Sequence, residues 1–580
     1  MGNPYKVFRP TIGTAFAAGG VNIRIAAAGT YNVTFDYAAK TILIEGAAST
    51  AKVISTADEL IAWLENPTVD AELGADINIV GKQMTATPEI TGNFDGKDHS
   101  ITVSLAAPLF PVVRGDIKNL AIAGSFKANC GAEKTVLAPI GKSYGAITNV
   151  TNNATVTLIG AAGEGGAETK NGAIAAGVVG EAYGPVTGCK NTAEISANAS
   201  AKDTWTIITA GIAGVLGAAI DDCLNEGEVS LVAGSPLGRT KGLTEVSMKY
   251  DPVSSVAGIV TYAVSDPTHT VTVNNCRNYG KISFTYDGLH AKSAAVSRSP
   301  VAGIVANSGG DITNCTNSGS IHATMVAPDR SKAYSDVNII LHAAGIQGAD
   351  YFVKKIKSTV DQNETSLYNC TNIGDIYVDS DMTKSNNTAG GVSAWPSAES
   401  ASVTVIKDCE NSGNLYINGL LKIRAGGVAG GTNSLDRCKN TGSIYIENAD
   451  PTSVFGLING FHTQTHILKD CDATGVIESK VAVNGLGGLC GGVGNVANTI
   501  GDGCKVKAVI NGGGTAQCGL IVGHLNGTDK AISIGTAESP VRVAGTVDGV
   551  KATAENFMSL LHKATNYTEG VHTFNAVFEE

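Results

Sequence analysis

Two pairs of aspartates have the residue type and spacing for acid–base or metal chemistry. Asp221 and Asp222 are adjacent, and hydrolysis of a glycosidic bond needs two carboxylates that flank it. Asp379 and Asp381 form a D-x-D pattern whose oxygens could help to hold Ca²⁺. However, Asp222 precedes a repeated cysteine where other copies have Asn, Asp, Arg or Gly, and the D-x-D stretch is typical of a polar surface loop. We therefore assign no catalytic residue, no metal site and no cofactor.

Aromatic residues offer a second kind of chemistry, the binding of sugar rings. They recur shortly after phrases of small and aliphatic residues. The six positions are Tyr144, Tyr183, Tyr262, Tyr351, Trp395 and Phe461. Sugar rings pack their CH faces on aromatic rings, so a row of these residues would suit an extended glycan. The alternative is that the rings only shield the end of a strand.

A repeated phrase determines how these residues are placed. Its pattern is C-x-N-x-G-x-[IVL], and a phrase of small residues such as "AGGVAG" precedes each copy. The copies begin at Cys189, Cys223, Cys276, Cys315, Cys370, Cys409, Cys438, Cys471 and Cys504. The spacing varies from 29 residues (Cys409 to Cys438) to 55 residues (Cys315 to Cys370). A fixed core with variable insertions is typical of a solenoid.

The predicted fold is all-β, a right-handed parallel β-helix of about 12 coils. The sequence has 71 glycines and only 16% charged residues, and it is rich in β-branched residues, which favours short strands and turns over helices. Stacked coils would place equivalent side chains about 4.8 Å apart. We predict a small β unit at 1–50, a cap helix with the first strands at 51–107, the β-helix at 108–550, and a second cap helix and strand at 551–580.

The Cys, Asn and Gly that recur in the phrase are each predicted to stack in a column of equivalent side chains along the solenoid. Cysteine is small and commonly buried, so we expect a column of reduced thiols. Metal binding and disulfides are the alternatives, but no C-x₂-C pair is present. Asparagine side chains can form amide ladders. Glycine two residues after the asparagine is expected to supply a positive φ for the turn.

Two short helices are predicted to cover the ends of the solenoid. Thr56 and Glu59 form a capping-box pattern, and Leu60, Ile61 and Leu64 share one face. Near the other end, one more apolar face is made of Phe557, Leu560 and Leu561.

Charge and hydropathy limit the partners. The net charge is −11 without a basic run, so we expect no nucleic-acid binding. No apolar run reaches the roughly 18 residues that a transmembrane helix needs.

The stretches "AGGVAG…CKNTGSI" and "AGIVANSGGDITNCTNSGSI" resemble the GLUG-type repeats of bacterial surface β-helix proteins. The stretch "GTYNVTFDYAAKTILIE" is similar to the closing hairpin of SusE/SusF-like outer-membrane lipoproteins. The resemblance implies a cell-surface lipoprotein of the outer membrane, which would contact the membrane only through a lipid anchor that this chain does not contain.

The resemblance also implies a non-catalytic glycan-binding protein, accessory to a SusCD-like glycan-uptake system. Its expected partners are a polysaccharide or oligosaccharide and that transporter complex. Two alternatives stay open: an adhesin or structural surface spacer, and a polysaccharide lyase or glycoside hydrolase built on a β-helix.

Overall fold

The structure is a computed structural model of the chain. It describes residues 29–36, 41–48, 51–85, 87–130, 134–160, 172–199, 206–233, 254–265, 270–286, 297–325, 339–350, 366–381, 387–395, 405–431, 434–462, 467–494, 499–515, 517–525, 532–562 and 572–580. Within these residues, strands pair almost entirely in parallel with the equivalent strand of the next coil. The predicted all-β parallel β-helix is confirmed.

The phrase of small residues forms two strands joined by a tight turn. The first strands make the small-residue sheet: Thr135–Leu137, Gly172–Ala176, Thr206–Ala210, Ser255–Ala257, Ser297–Ala302, Ile339–Ala344, Asn387–Gly390, Ile423–Gly426, Val454–Gly456, Gly485–Gly487 and Cys518–Gly519. The second strands make the post-turn sheet, which has two parts. They are Phe110–Val113, Ile140–Ser143, Val179–Ala182, Ala213–Leu216, Val260–Ala263, Val305–Ser308, Gln347–Ala349 and Ser393–Trp395, and then Asn459–His462, Cys490–Val493 and Val522–Leu525.

The cysteine phrase and its flanks form the long sheet, to which each coil contributes three short strands. Before the cysteine lie Val186–Thr187, Ile220–Asp221, Thr272–Asn274, Asp311–Thr313, Ser366–Tyr368, Val405–Lys407, Ser434–Asp436 and Leu468–Lys469. After it lie Lys190–Asn191, Leu224–Asn225, Arg277–Asn278, Thr316–Asn317, Thr371–Asn372, Glu410–Asn411 and Lys439–Asn440. Beyond the glycine lie Ile195–Ala199, Val229–Ala233, Ile282–Tyr286, Ile321–Met325, Ile376–Ser380, Leu415–Asn418 and Ile444–Ile446.

Toward both ends of the long sheet, longer strands take the place of these three short strands. They are Ile117–Asn129, Ile147–Ile159, Asp472–Ser479, Lys505–Asn511 and Val541–Val547. The first and last strands are Lys52–Ile54, Ala71–Leu73, Ile77–Asn78, Phe94–Asp95, Ser100–Leu105, Val550–Lys551 and Ala576–Phe578. A further short sheet contains Thr499–Ile500, Ser533–Ile534 and Thr573–Phe574.

Gly29–Asp36 pairs antiparallel with Thr41–Ala48 in a separate hairpin within the predicted unit 1–50. The predicted domain limits remain predictions.

The nine repeat cysteines form the expected buried column, while Cys130, Cys490 and Cys518 are buried elsewhere. All twelve cysteines of the chain are free thiols, and each is at most 5% exposed. Neighbouring coils are tied together here, since the amide of Cys189 donates to Sγ of Cys223 at 3.4 Å. Burial raises the pKa of the Cys315 thiol well above its ordinary value. The column therefore acts as hydrophobic core, and burial disfavours the reactive thiolate form of Cys315.

The asparagines form a continuous amide ladder through eight coils. Each Nδ2 donates, at 2.7–2.9 Å, to the carbonyl two residues further along its own coil. Seven of them also donate to Oδ1 of the next asparagine at 2.7–2.8 Å, and the last, Asn440, donates to the carbonyl of Thr474 at 3.2 Å. The members are Asn152, Asn191, Asn225, Asn278, Asn317, Asn372, Asn411 and Asn440. Every one is at most 1% exposed, so the ladder satisfies the polar groups of a turn that lies inside the core.

The predicted positive φ of the repeat glycine occurs at Gly475, with φ 148°, and is wrong at the other six glycines of the repeat. Gly280 and Gly319 do not have a positive φ; they are needed because a Cβ on Gly319 would overlap the carbonyl oxygen of Gly280 in the preceding coil. The left-handed position is the residue directly before the cysteine, such as Asn314 with φ 55° and Asp222 with φ 52°. Asn and Asp tolerate this conformation well, which explains the residue types seen before the cysteine.

The two predicted helices are present. Ala57–Leu64 has the capping box of Thr56 and Glu59. Its buried face contains Trp63 rather than the predicted Ile61, and the Trp63 indole donates to the carbonyl of Val69 at 2.9 Å. Four-residue Phe557–Leu560 lies against the last coil, where the amide of Leu520 donates to the carbonyl of Leu560 at 2.8 Å.

Candidate functional site

An aromatic ladder runs across the outer face of the long sheet in four successive coils. We define it as His322, Tyr377, Tyr416 and Tyr445, which are paired in register from one strand to the next. Their ring centroids are 4.5, 4.7 and 5.2 Å apart, and neighbouring planes differ by 7° to 16°. These spacings match the separation of adjacent strands, so the rings stack because the backbone register holds them there.

The repeat places these rings on the surface. The aliphatic residue six positions after the cysteine points into the core, so the residue at position seven points outward. That residue is His322 after Cys315, Tyr377 after Cys370, Tyr416 after Cys409 and Tyr445 after Cys438. The ladder ends where the same position becomes Glu478 after Cys471. At the other end, His322 pairs with Ser283.

A row of polar side chains two residues further along each strand runs beside the ladder. It contains Thr324, Asp379, Asn418, Glu447 and Lys480. The Asn418 amide donates to Asp379 at 3.3 Å, and Lys480 pairs with Glu447 at 2.6 Å. The two rows line a cleft of about 550 Å³, together with Glu478. We call this the ladder cleft.

Hydrogen bonds on the opposite side orient the rings. Tyr377 donates its hydroxyl proton to Asp375 at 3.4 Å, and Asn414 donates to the Tyr416 hydroxyl at 3.4 Å. Burial, and then the charge of Asp375, raises the pKa of both tyrosines. Burial, and then the charge of Lys281, lowers the pKa of His322, so its ring is neutral near pH 7.

The ladder cleft offers an apolar wall and a line of hydrogen-bonding groups at a regular spacing. All four ladder residues are partly exposed, and within the ladder a full ring face lacks an aromatic neighbour only at His322 and Tyr445. Carboxylates accept hydrogen bonds, and the Asn418 amide can donate and accept. A linear ligand with hydroxyl groups would meet a similar set of contacts in each coil.

Two of the six aromatic residues predicted from the sequence form a separate patch. Tyr144 and Tyr183 stack in adjacent coils with centroids 5.7 Å apart. The Arg114 guanidinium lies 4.5 Å from the Tyr144 ring, and the Lys142 ammonium lies 5.0 Å and 5.1 Å from the two rings. We call this the basic patch.

Three others, Tyr262, Trp395 and Phe461, belong to a different row of the post-turn sheet. Tyr262 and Trp395 occupy one register position three coils apart, and Tyr262 is fully buried against Ile174 and Ile208. Trp395 is half-buried and stacks on His342 with centroids 5.7 Å apart.

Phe461 is only 8% exposed and lies under the Arg424 guanidinium at 4.3 Å. Tyr351 lies outside the described residues. The described residues therefore do not form the single stripe that the sequence predicted, because Tyr183 stands two positions away from the row of Tyr262. Glycan binding by these six residues remains a prediction.

The structure gives Asp221 and Asp222 structural contacts and separates Asp379 from Asp381 in exposure. Asp221 accepts from Asn274 at 2.6 Å, and Asp222 accepts from Asn275 at 3.1 Å, both in the next coil. Asp379 lines the ladder cleft, whereas Asp381 is 1% exposed. In the part of the chain that the structure describes, no group of three or more His, Cys, Asp or Glu side chains is placed to hold a metal ion.

The comparisons with known proteins add little. No family model and no curated protein matches the sequence. A crystal structure from Bacteroides ovatus, provisionally named an immunoglobulin A1 protease, is similar to 52% of this chain and 85% of its own. Its identity to this chain is 21% and its TM-score is 0.33. The resemblance to GLUG-type repeats and SusE/SusF-like modules therefore rests on the sequence phrases.

Among the described residues, neither helix has the length and apolar character that crossing a bilayer requires.

Proposed function

We propose that this protein is a non-catalytic β-helix of the cell surface that binds an extended glycan in the ladder cleft. The observation that supports this most directly is the four-ring aromatic ladder beside a row of polar side chains, repeated once per coil. Binding sites for small ligands combine apolar or aromatic walls with a few well-placed polar groups. A regular polymer would meet an aromatic ring and a polar side chain in each of several coils, which raises affinity without a deep pocket.

A non-catalytic role agrees with the cleft. The Lys480 ammonium pairs with Glu447, and Asn418 donates to Asp379, so two of the three carboxylates in the cleft are already engaged. The neutral His322 ring bonds to Ser320 at 3.1 Å. Polar groups that are already held by neighbours support a binding surface over acid–base catalysis.

The test is affinity electrophoresis against a panel of polysaccharides, followed by calorimetry with any polymer that retards the protein. Tyr416 lies in the middle of the ladder with a ring on each side, so Tyr416→Ala removes a contact and unstacks its neighbours. We expect binding to weaken about two- to twelvefold, since aromatic contacts contribute ~0.5–1.5 kcal/mol beyond buried area. Tyr279→Ala is the matched control, because Tyr279 is 51% exposed and lies outside the cleft.

Three other results would support a different binding site or a different function. If Trp395→Ala abolishes retardation and Tyr416→Ala does not, the post-turn row binds the glycan and the ladder cleft does not. If no glycan is bound but a protein partner is captured, the adhesin or spacer alternative is correct. New reducing ends or unsaturated products would show an enzyme.

The cellular setting is part of the proposal. We propose a surface lipoprotein of the outer membrane, accessory to a SusCD-like importer, on the basis of the resemblance of the repeat phrases and the "GTYNVTFDYAAKTILIE" stretch. Surface labelling of intact cells and co-purification with a transporter would test it. A protein found only inside the cell would contradict it.

A further inference from the structure

The ladder cleft is long and narrow. Its two rows come from five successive coils, from His322 and Thr324 at one end to Glu478 and Lys480 at the other. Adjacent coils are about 4.8 Å apart, so the rows run for on the order of 20 Å along the solenoid axis. Across the cleft, the two rows are two residues apart in each strand, which is about 7 Å. The long direction of the cleft is therefore the solenoid axis.

The ladder cleft is also shallow. Its floor is the strand between the two rows, where Val378, Ile417 and Ile446 turn their side chains into the core. Its volume of about 550 Å³, spread over that length and width, corresponds to a mean depth on the order of 4 Å. A trough of this size accommodates one chain of rings that lies along the axis, and not two chains side by side.

Within the strands that the structure describes, small or exposed side chains follow the ladder at both ends. Before the first ring, the ladder position is a serine in three successive coils that are paired in register: Ser283, Ser230 and Ser196. After the last ring, this position is Glu478 and then Asn511, and both are exposed. A polymer can therefore enter the trough at one end and leave it at the other.

We propose that the ladder cleft binds the interior of an unbranched, extended glycan in single file, with about one sugar unit for each coil. This inference rests on the proposed function and specifies its ligand class. A pyranose unit of an extended chain advances by on the order of 5 Å, which is close to the separation of adjacent coils. A stretch of about four to five units therefore stays in step with the rungs of the ladder.

Branches are the feature that such a trough excludes. Successive units of an extended ribbon direct their branches to alternate edges of the ribbon. A ribbon that lies flat in the trough has one edge along the aromatic ladder and the other along the polar row, for example at Tyr416 and Asn418. Branches on neighbouring units would meet both rows, so a densely branched chain is held away from the floor of the cleft.

The experiment is calorimetry with the full chain and three linear series, the cello-, xylo- and manno-oligosaccharides, from disaccharide to octasaccharide. In the series that binds, each added unit should raise the affinity about two- to tenfold up to the tetra- or pentasaccharide, and less than about twofold beyond it. Reduction of the reducing-end sugar of the octasaccharide to its alditol should change the affinity less than about twofold. The reason is that the end of a long chain lies outside the cleft.

Branched and coiled ligands are the controls. A backbone with branches on neighbouring units should bind at least about tenfold more weakly than its linear form. The branched ligands are a xyloglucan heptasaccharide, an arabinosylated xylotetraose and a galactosylated mannopentaose. Maltohexaose contains the sugar of cellohexaose but has a linkage that coils the chain, so it should not bind measurably.

Variants of single rungs test the alignment along the axis. A disaccharide can move to the remaining rungs when one is lost, whereas a hexasaccharide needs them all. Tyr445→Ala should therefore weaken the hexasaccharide about two- to tenfold and change the affinity of the disaccharide less than about twofold. Tyr279→Ala is the matched control and should change neither affinity, because Tyr279 is an exposed tyrosine outside the cleft.

The outcomes separate this inference from the proposed function. Single-file binding is overturned, and glycan binding left intact, by a disaccharide that binds as tightly as longer oligomers, by an alditol that no longer binds, or by a branched ligand that matches its linear form. Binding of maltohexaose has the same meaning, and so does a polysaccharide that retards the protein while none of the three series binds. If no polysaccharide retards the protein and no oligosaccharide binds, both proposals are wrong.

Discussion

Replacing one asparagine in the middle of the amide ladder should weaken several coils at once. Asn317 is fully buried, accepts from Asn278 at 2.7 Å and donates to Asn372 at 2.8 Å. Its Nδ2 also donates to the carbonyl of Gly319 at 2.9 Å. Asn317→Ala therefore removes three hydrogen bonds inside the core.

The magnitude follows from the groups left without partners. Asn372 Oδ1 and the Gly319 carbonyl lose their Asn317 donor, while Asn278 Nδ2 keeps its bond to the Gly280 carbonyl. A buried polar group without a partner costs about 1–3 kcal/mol, so two such groups cost about 2–6 kcal/mol before any cavity term. Thr316→Ala is the control, because Thr316 is only half-buried in the same strand.

The assay is urea-induced unfolding followed by circular dichroism, together with hydrogen exchange read by mass spectrometry. Faster exchange should appear in the strands around Asn278 and Asn372 as well as at the substituted coil. A loss below about 1 kcal/mol, or one equal to that of Thr316→Ala, would refute the ladder as a source of stability.

Asn317→Asp sharpens the test. The new carboxylate keeps the shape of the side chain but has no proton to donate to Asn372, and it is charged inside the core. Burial raises the folded-state pKa of such a carboxyl, so the folded state binds more protons than the unfolded state. The variant should therefore be weakest near neutral pH and regain stability as the pH falls through that raised pKa.

Further predictions concern the turn, the helix, the thiols and the ladder rings. Gly319→Ala should cost more than 2 kcal/mol in urea unfolding, since its Cβ would overlap the backbone of Gly280. Thr56→Ala should cost ~1 kcal/mol by the same measurement, through loss of the capping box. A thiol reagent such as Ellman's should label no cysteine until the protein unfolds, because all twelve are buried. Phenolate absorbance during alkaline titration should show Tyr377 ionising at a higher pH than an unperturbed tyrosine, and Asp375→Asn should bring its pKa down.

The sign of the tyrosine effect follows from the proton count. The folded pKa of Tyr377 is raised by burial and by Asp375, so above the unfolded pKa near 10 the folded state binds more protons than the unfolded state. Its contribution to stability is therefore present below that pH and is lost as the pH rises through both values.

The architecture could be predicted from the sequence because the repeated letters are core positions. Cys315, Asn317 and the aliphatic Ile321 are buried in every copy and tolerate little change, so their spacing survives insertions of different length. The role of Gly319 could not be predicted from its own coil. Its requirement comes from the carbonyl of Gly280 one coil away, and only the stacked geometry brings the two together.

The ladder cleft was overlooked for a related reason. The repeat pattern ends at position six after the cysteine, and the cleft uses positions seven and nine. Position seven gives His322, Tyr377, Tyr416, Tyr445 and Glu478, and position nine gives Thr324, Asp379, Asn418, Glu447 and Lys480. Extending the same register by three residues would have found both rows. The aromatic residues after the small-residue phrase were a weaker signal, since Tyr262 and Phe461 lie in a tightly packed sheet and are buried.

Alternate residues of one strand face inward and outward, and this explains why such a surface suits recognition of a polymer. In Ile376–Ser380 the residues that face inward, Ile376 and Val378, are at most 2% exposed and belong to the core, while Tyr377 and Asp379 face outward. Outward residues can therefore change from coil to coil without disturbing the thiol column or the amide ladder. Because the backbone register fixes where each outward side chain lies, a ligand loses little affinity to ordering the site. Specificity along the axis is then set by which side chains occupy positions seven and nine, and the change from Tyr445 to Glu478 marks where an aromatic contact gives way to a charged one.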